Sequence, residues 1–203
     1  EIIKVVRDAT SSGACEIWLT SQDTGCYGFD ISMTLPELLK ELVKIDNKDF
    51  RIRVGMGNPQ HFLKILGHAI EAFKHEKVFS FLHIPVQAGN DDILTAMRRG
   101  YCVEDFKKVV AAFRSEIPNI TIATDIICGF PGETEEQFQD TVHLVEEIQP
   151  EVVNVSRFWA RPKTAAERMG GQFSEAETKR RSTIMTELCR RITLEKNRQW
   201  VGW

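Results

Sequence analysis

The sequence predicts an α/β fold built on a parallel sheet. Five short β-branched runs each precede an apolar stripe at helical spacing, and polar side chains fall at the C-terminal end of run after run. The runs are Glu16–Thr20, Phe50–Gly55, Val78–Val86, Ile120–Ile127 and Val152–Phe158. Parallel strands joined by helices require right-handed crossovers, which leaves a barrel or a doubly wound sheet. The polar groups are Ser21, Gln22 and Asp23, then Asn58, then His83 and Gln87, then Asp125 and Glu133, then Arg157 and Arg161. A barrel collects such residues at one mouth, whereas a doubly wound sheet spreads them along an edge, so the barrel is the expectation.

Taken in order, Ile2, Val5 and Val6 mark one face of a helix over Glu1–Ser12, with no strand before it. The Glu16–Thr20 strand then has an open edge able to pair with a second copy, and the chain is expected to be part of a larger protein. Thr34-Leu-Pro-Glu37 reads as a capping box. After the second strand, Asn58 caps and Pro59 takes the first helical position, followed by Phe62, Ile65, Leu66, Ala69, Ile70 and Phe73. Phe106, Val109, Val110, Phe113 and Ile117 form the stripe after the third strand. Phe138, Thr141, Val142, Val145 and Ile148 form the one after the fourth. Ser174-Glu-Ala-Glu177 opens a last helix within a tail running from residue 174 to 203.

At 203 residues, a chain buries roughly 70% of the surface it exposes unfolded, so one domain spanning 1–203 is expected. No apolar run reaches membrane-spanning length and no secretory pattern opens the chain, which gives a cytoplasmic expectation. Cys15, Cys26, Cys102, Cys128 and Cys189 are odd in number, match no zinc or disulfide framework, and read as reduced thiols. A net charge of −3 excludes whole-chain attraction to a polyanion. Nucleic-acid contact would need a local patch drawn from Arg98, Arg99, Lys107, Lys108, Arg161, Lys163, Lys179, Arg180, Arg181, Arg190 and Arg191. Trp18, Trp159, Trp200 and Trp203 read as packing residues, with Trp159 the best candidate for base stacking. Gly55-Met-Gly57 lacks the third glycine of a dinucleotide fingerprint.

The most informative segment is Ile122–Thr134, a buried strand entering a glycine-rich turn and a helix capped by Thr134 and Gln137. Ile126, Ile127 and Phe130 supply apolar surface, and Gly129 and Gly132 permit close backbone approach to a flat ligand. Asp23 and Asp125 read as functional, because an unpaired carboxylate at a strand end costs energy unless a ligand or cation meets it.

Six segments together resemble the radical S-adenosylmethionine methylthiotransferases, of the archaeal and eukaryotic type acting on N6-threonylcarbamoyladenosine in tRNA. They are Leu19–Gly25, Gly55–Pro59, Phe81–Gln87, Tyr101–Phe106, Ile122–Thr134 and Phe158–Ala166. The resemblance implies a partial (β/α)6 TIM-like radical SAM barrel lacking its first strand and cluster loop. It implies S-adenosyl-L-methionine as cofactor, 4Fe-4S clusters and an electron donor protein for the intact parent, and tRNA as substrate. The parent would insert a methylthio group at C2 of the modified adenosine by radical chemistry. The family's C-x3-C-x2-C cluster loop is absent from this sequence, so a chain limited to these residues is expected to be inactive.

By the same resemblance, Gln22 and Asp23 stand where the methionine ammonium is received. Gln87 and Asn90 lie in a ribose-binding turn, where Ala88-Gly89-Asn90 replaces the usual Ser-Gly-Ser. Ile127 and Gly129 pack on adenine, and Asp125 and Arg157 line the cavity near sugar or carboxylate. Arg161 and Lys163 face tRNA, with Lys163 in the place of a common family glycine. A different radical enzyme on the same barrel, or a cluster-free barrel that binds RNA or a protein partner, remain the alternative readings.

Overall fold

A computed structural model describes residues 1–46 and 49–202, so Trp203 lies outside the described residues. The chain packs as two compact units, one of Glu1–Ile84 with Lys108–Ile122, the other of Pro85–Lys107 with Ala123–Trp203.

In the first unit the expected alternation holds: α1 Ile2–Ser11, β1 Glu16–Leu19, α2 Leu35–Leu42, β2 Arg51–Val54, α3 Pro59–Phe73 and β3 Phe81–His83. β1 and β2 are parallel, with Glu16 opposite Arg51 and Trp18 opposite Arg53. Period-two alternation sends Ile52 and Val54 into the core, at 0% and 2% exposure, and leaves Arg51 and Arg53 on the other face. The core of this unit is aromatic: Phe113 packs edge-on against Phe62 and Phe73 at centroid separations of 6.0 and 5.2 Å. Lys77 is buried because its ammonium has partners. Its Nζ donates to the carbonyls of Val43 and Ile45 just past the end of α2, and lies 5.0 Å from the Phe50 ring.

Three local expectations are corrected here. Of Val78–Val86 only Phe81–His83 is strand, with Val78 joined to Ile52 by an isolated bridge; Pro85 has no N–H to offer a ladder. Thr34 precedes α2, but its hydroxyl donates to the Glu37 carboxylate and accepts no backbone N–H. Asn58 precedes α3 without capping it, since its side chain donates to Asp23 instead.

The second unit contains α4 Asp91–Ala96, β4 Thr121–Cys128 from Ala123 onward, α6 Glu135–Ile148, β5 Val152–Arg157 and α7 Glu175–Asn197; α5 Val103–Glu116 starts in it. Helix α4 has no counterpart in the sequence reading, being too short to carry an apolar period. β4 and β5 are parallel, with Asp125 opposite Asn154 and Ile127 opposite Ser156. The capping box of Thr134 and Gln137 on α6 forms in both directions. Ser174 accepts the Glu177 N–H as expected, while the Glu177 carboxylate turns to Arg180 and Arg181. A cluster of Ala88, Ile93, Leu94, Tyr101 and Phe130 forms the core under α4, and Tyr101 Oη donates to the Pro85 and Val86 carbonyls.

Candidate functional site

The polar ends of β4 and β5 meet in a cavity of about 600 Å³ within the second unit, a size suited to a nucleoside-like ligand. Gln87, Asp125, Ile127, Asn154, Arg157 and Arg161 stand on its walls. Asp125, Ile127, Asn154 and Ser156 share one sheet face because they alternate along paired strands, and Asn154 Nδ2 donates to Asp125 Oδ1 at 2.7 Å.

Gln87 enters from the turn after Val86. Its backbone is laced to β4 by Gln87 N to the Asp125 carbonyl and Ile127 N to the Gln87 carbonyl. It holds a left-handed φ of +74° although it is not glycine, and the residue is 7% exposed. Such a conformation persists only where the surroundings impose it, and it clusters at ligand sites. No donor or acceptor meets the Gln87 side-chain amide among the described residues. An unpaired amide on a residue lining a cavity offers the donor and acceptor expected to meet hydroxyl groups of a bound sugar.

Of the residues singled out from sequence, Gln87, Asp125, Ile127, Arg157 and Arg161 are therefore brought together. Others are not. Asn90 caps α4, accepting from Asp92 N and Ile93 N, and donates to Asp140, so its side chain is spent on packing. Gly129, at φ +78°, is a glycine because an added Cβ would come within 2.5 Å of Thr178 Cγ2 on α7. A helix fills that space, so no ligand is needed to explain the glycine. Lys163 keeps the left-handed backbone, at φ +67°, that a glycine would favour there, and its N–H donates to the Glu167 carboxylate. Arg157 is half exposed and lies 3.8 Å from Glu175. Trp159 is 82% exposed at the cavity rim, and Trp18 and Trp200 are also exposed, at 59% and 43%, contrary to the packing expectation. Sequence reasoning missed Asn154, although the alternation of Val152, Asn154 and Ser156 marked it as facing away from the core.

In the first unit Asp23 is the hub of the turn after β1. Its Oδ1 accepts from Gly25 N and Asn58 N, while Oδ2 takes Asn58 Nδ2 at 2.5 Å and contacts His61 Nδ1 at 2.7 Å. This corrects the unpaired carboxylate expected there, and Asp125 is likewise paired. Each is met by an amide remote in sequence, Asn58 and Asn154 respectively. Gln22 beside it is exposed. His83 is half-buried, with its ring edge-on to Phe81 and its carbonyl accepting from Gly57 N.

The basic patch also shrinks. Arg180 and Arg181 bind Glu177, Arg181 reaches Glu133, Arg191 reaches Glu146 and Lys107 reaches Glu147. The pair of guanidiniums holds the Glu177 carboxyl down to about 2. Burial pushes the Cys128 and Cys189 thiols up to about 12 and about 11, so both are inert thiols of the core. Asp23, Cys26 and His61 are the one group of three His, Cys or carboxylate ligand atoms lying within 4.8 Å among the described residues. A 4Fe-4S cluster is held by thiolates, and one thiol beside a histidine and an aspartate does not fit it.

Residues 1–145 match the family described as the Radical SAM superfamily, and the chain belongs to that superfamily. Its relatives narrow the class. It is 48% identical over 202 residues to the probable threonylcarbamoyladenosine tRNA methylthiotransferase of Pyrococcus horikoshii, covering 100% of this chain and 47% of that protein. It is 47% identical over 169 residues to the human threonylcarbamoyladenosine tRNA methylthiotransferase, covering 83% of this chain and 29% of the relative. The chain thus spans about half the length of the archaeal relatives it matches. Among solved structures it is similar to coproporphyrinogen III oxidase from Escherichia coli, with TM-score 0.69 and 18% identity over 94% of this chain and 45% of that one. It is also similar to the radical S-adenosylmethionine methyltransferase TsrM from Kitasatospora setae, with TM-score 0.57 and 17% identity over 77% of this chain and 30% of that one. At these identities the structures speak for the fold alone, and they agree with the expected partial barrel.

Proposed function

We propose that this chain is the S-adenosylmethionine-binding core of an enzyme that adds a methylthio group at C2 of N6-threonylcarbamoyladenosine in tRNA. The observation that carries the reading is the 46–48% identity to archaeal proteins of that name over essentially the whole chain, beyond the residues of the superfamily match. When bound, S-adenosylmethionine supplies the radical chemistry.

In this reading the Gln87 amide holds ribose hydroxyls and Ile127 offers apolar surface to adenine. Asp125, braced by Asn154, accepts from the sugar, and Arg157 meets a carboxylate. Gln22 receives the methionine ammonium, while Asp23 shapes the turn that presents it. Arg161 and Lys163 lie against tRNA phosphate. Residues 1–203 act as one domain, in the cytoplasm. The donor set described above fits S-adenosylmethionine and not the cluster. An electron donor protein is a partner of the full-length enzyme.

The test is anaerobic turnover by the full-length protein on tRNA bearing the threonylcarbamoyl modification, read by nucleoside mass spectrometry. Gain of a methylthio group on that nucleoside is the expected result, and its absence under reducing conditions overturns the reading. Gln87→Asn, which shortens the amide while tolerating the left-handed backbone, should weaken S-adenosylmethionine binding about tenfold. Unchanged affinity removes Gln87 from the cofactor site.

A further inference from the structure

Arg53 is clamped between two aromatic rings. Its Cζ lies 4.6 Å from the Trp18 ring centroid and 4.4 Å from that of Phe81. The parallel register creates the clamp, setting Trp18 beside Arg53 on the face opposite the buried Ile52 and Val54. Two rings in contact with the guanidinium carbon hold the group by stacking, which uses none of the N–H donors along its edge.

Among the described residues no carboxylate or carbonyl meets those donors. The contrast with Arg180 and Arg181 is plain, since each of those is tied to carboxylates. Nearby Glu16 does not serve Arg53: it stands opposite Arg51 in the register and accepts from Trp18 Nε1. Arg53 is half-buried and held in place by stacking, so its orientation is set before any ligand arrives.

A fixed guanidinium edge selects a planar oxyanion taken by two parallel hydrogen bonds. The surroundings favour a carboxylate carried beside a flat ring able to stack. They are aromatic, with Phe79, Phe81 and Trp18, a residue 59% exposed, and the neighbouring Arg51 lies 5.8 Å from the Phe79 ring. N6-threonylcarbamoyladenosine has that form: a threonine joined through its amino group keeps a free carboxylate, beside a purine able to stack. Resting on the substrate reading above, we propose that Trp18, Arg53 and Phe81 form a binding platform that takes the threonyl carboxylate and so selects the modified nucleoside.

The test compares calorimetric titrations of the nucleoside N6-threonylcarbamoyladenosine and its methyl ester. Wild type should prefer the free acid by about tenfold to a hundredfold, the range for a charge-assisted bidentate pair. Arg53→Gln should abolish the preference. Arg53→Lys keeps the charge and stem, guards against a folding defect, and should lose most of the preference with the fork. A preference that survives both substitutions, equal binding of acid and ester by wild type, or binding of neither overturns the proposal. S-adenosylmethionine also carries a carboxylate, so it is titrated in parallel. Loss of its affinity in Arg53→Gln with the nucleoside preference intact assigns the platform to the cofactor, and also overturns the proposal. Failure of the substrate reading is seen separately, as absent turnover by the full-length protein.

Discussion

Replacing Arg181 by Met should destabilise the second unit more than any surface change in this chain, and more at high pH than at low. Arg181 and Glu133 side chains are 4% and 1% exposed, with Nη1 2.7 Å from the Glu133 carboxylate and 2.9 Å from its carbonyl. The same guanidinium binds Glu177 and lies over the Phe138 and Phe173 rings. Breaking a buried pair by removing one partner costs about 3–5 kcal/mol, because the charge left behind has no water.

Glu133 sets the pH dependence. Burial raises its pKa, while the Arg181 hydrogen bond and the Gly129 N–H pull it down. Without Arg181 the main opposing pull is gone and the folded value climbs further. Between the unfolded value, about 4.3, and that raised folded value, the native state holds more protons than the unfolded one. Stability therefore falls as pH rises through the folded value. Urea unfolding followed by circular dichroism at about pH 5 and about pH 8 should show the larger loss at the higher pH. Adding Glu133→Gln to Arg181→Met should remove the pH slope and recover part of the stability. A loss under about 1 kcal/mol, equal at both pH values, would refute the account of a buried pair.

The two glycines of the turn after β4 separate strain from crowding. Gly132→Ala meets open space at φ +80° and should cost about 1–2 kcal/mol for the left-handed backbone. Gly129→Ala adds collision with Thr178 and should lower the melting temperature clearly more; equal shifts would mean α7 is not seated there. Asp23→Asn keeps the shape but weakens the bonds from Gly25 N, Asn58 and His61, at about 1.5–3 kcal/mol for a hydrogen bond to a charged group. Faster amide exchange across the first turn of α3 is the expected readout, and unchanged exchange would deny Asp23 its hub role.

Period and local chemistry were enough to write down most of the elements. The stripe from Phe62 to Phe73 and the Thr134 capping box specify α3 and the start of α6 without help from the rest of the chain, because both act within a few residues. The β-branched runs likewise gave β1, β2, β4 and β5 to within a residue or two. The motif from Ile122 to Thr134, with the other five segments, also carried the superfamily.

Which polar groups are free was decided by tertiary structure, since a hydrogen bond between residues thirty positions apart leaves no local trace. Asp23 looked unpaired until α3 brought Asn58 and His61 to it, and Arg181 looked like a surface cation until Glu133 met it in the core. Gly129 looked like ligand space until α7 supplied Thr178. The reverse holds for Gln87 and Arg53, whose sequence neighbours say nothing of an amide left facing a cavity or a guanidinium stacked with its edge open. Periodicity fixes which face a residue takes, and only the packed chain determines what waits on that face.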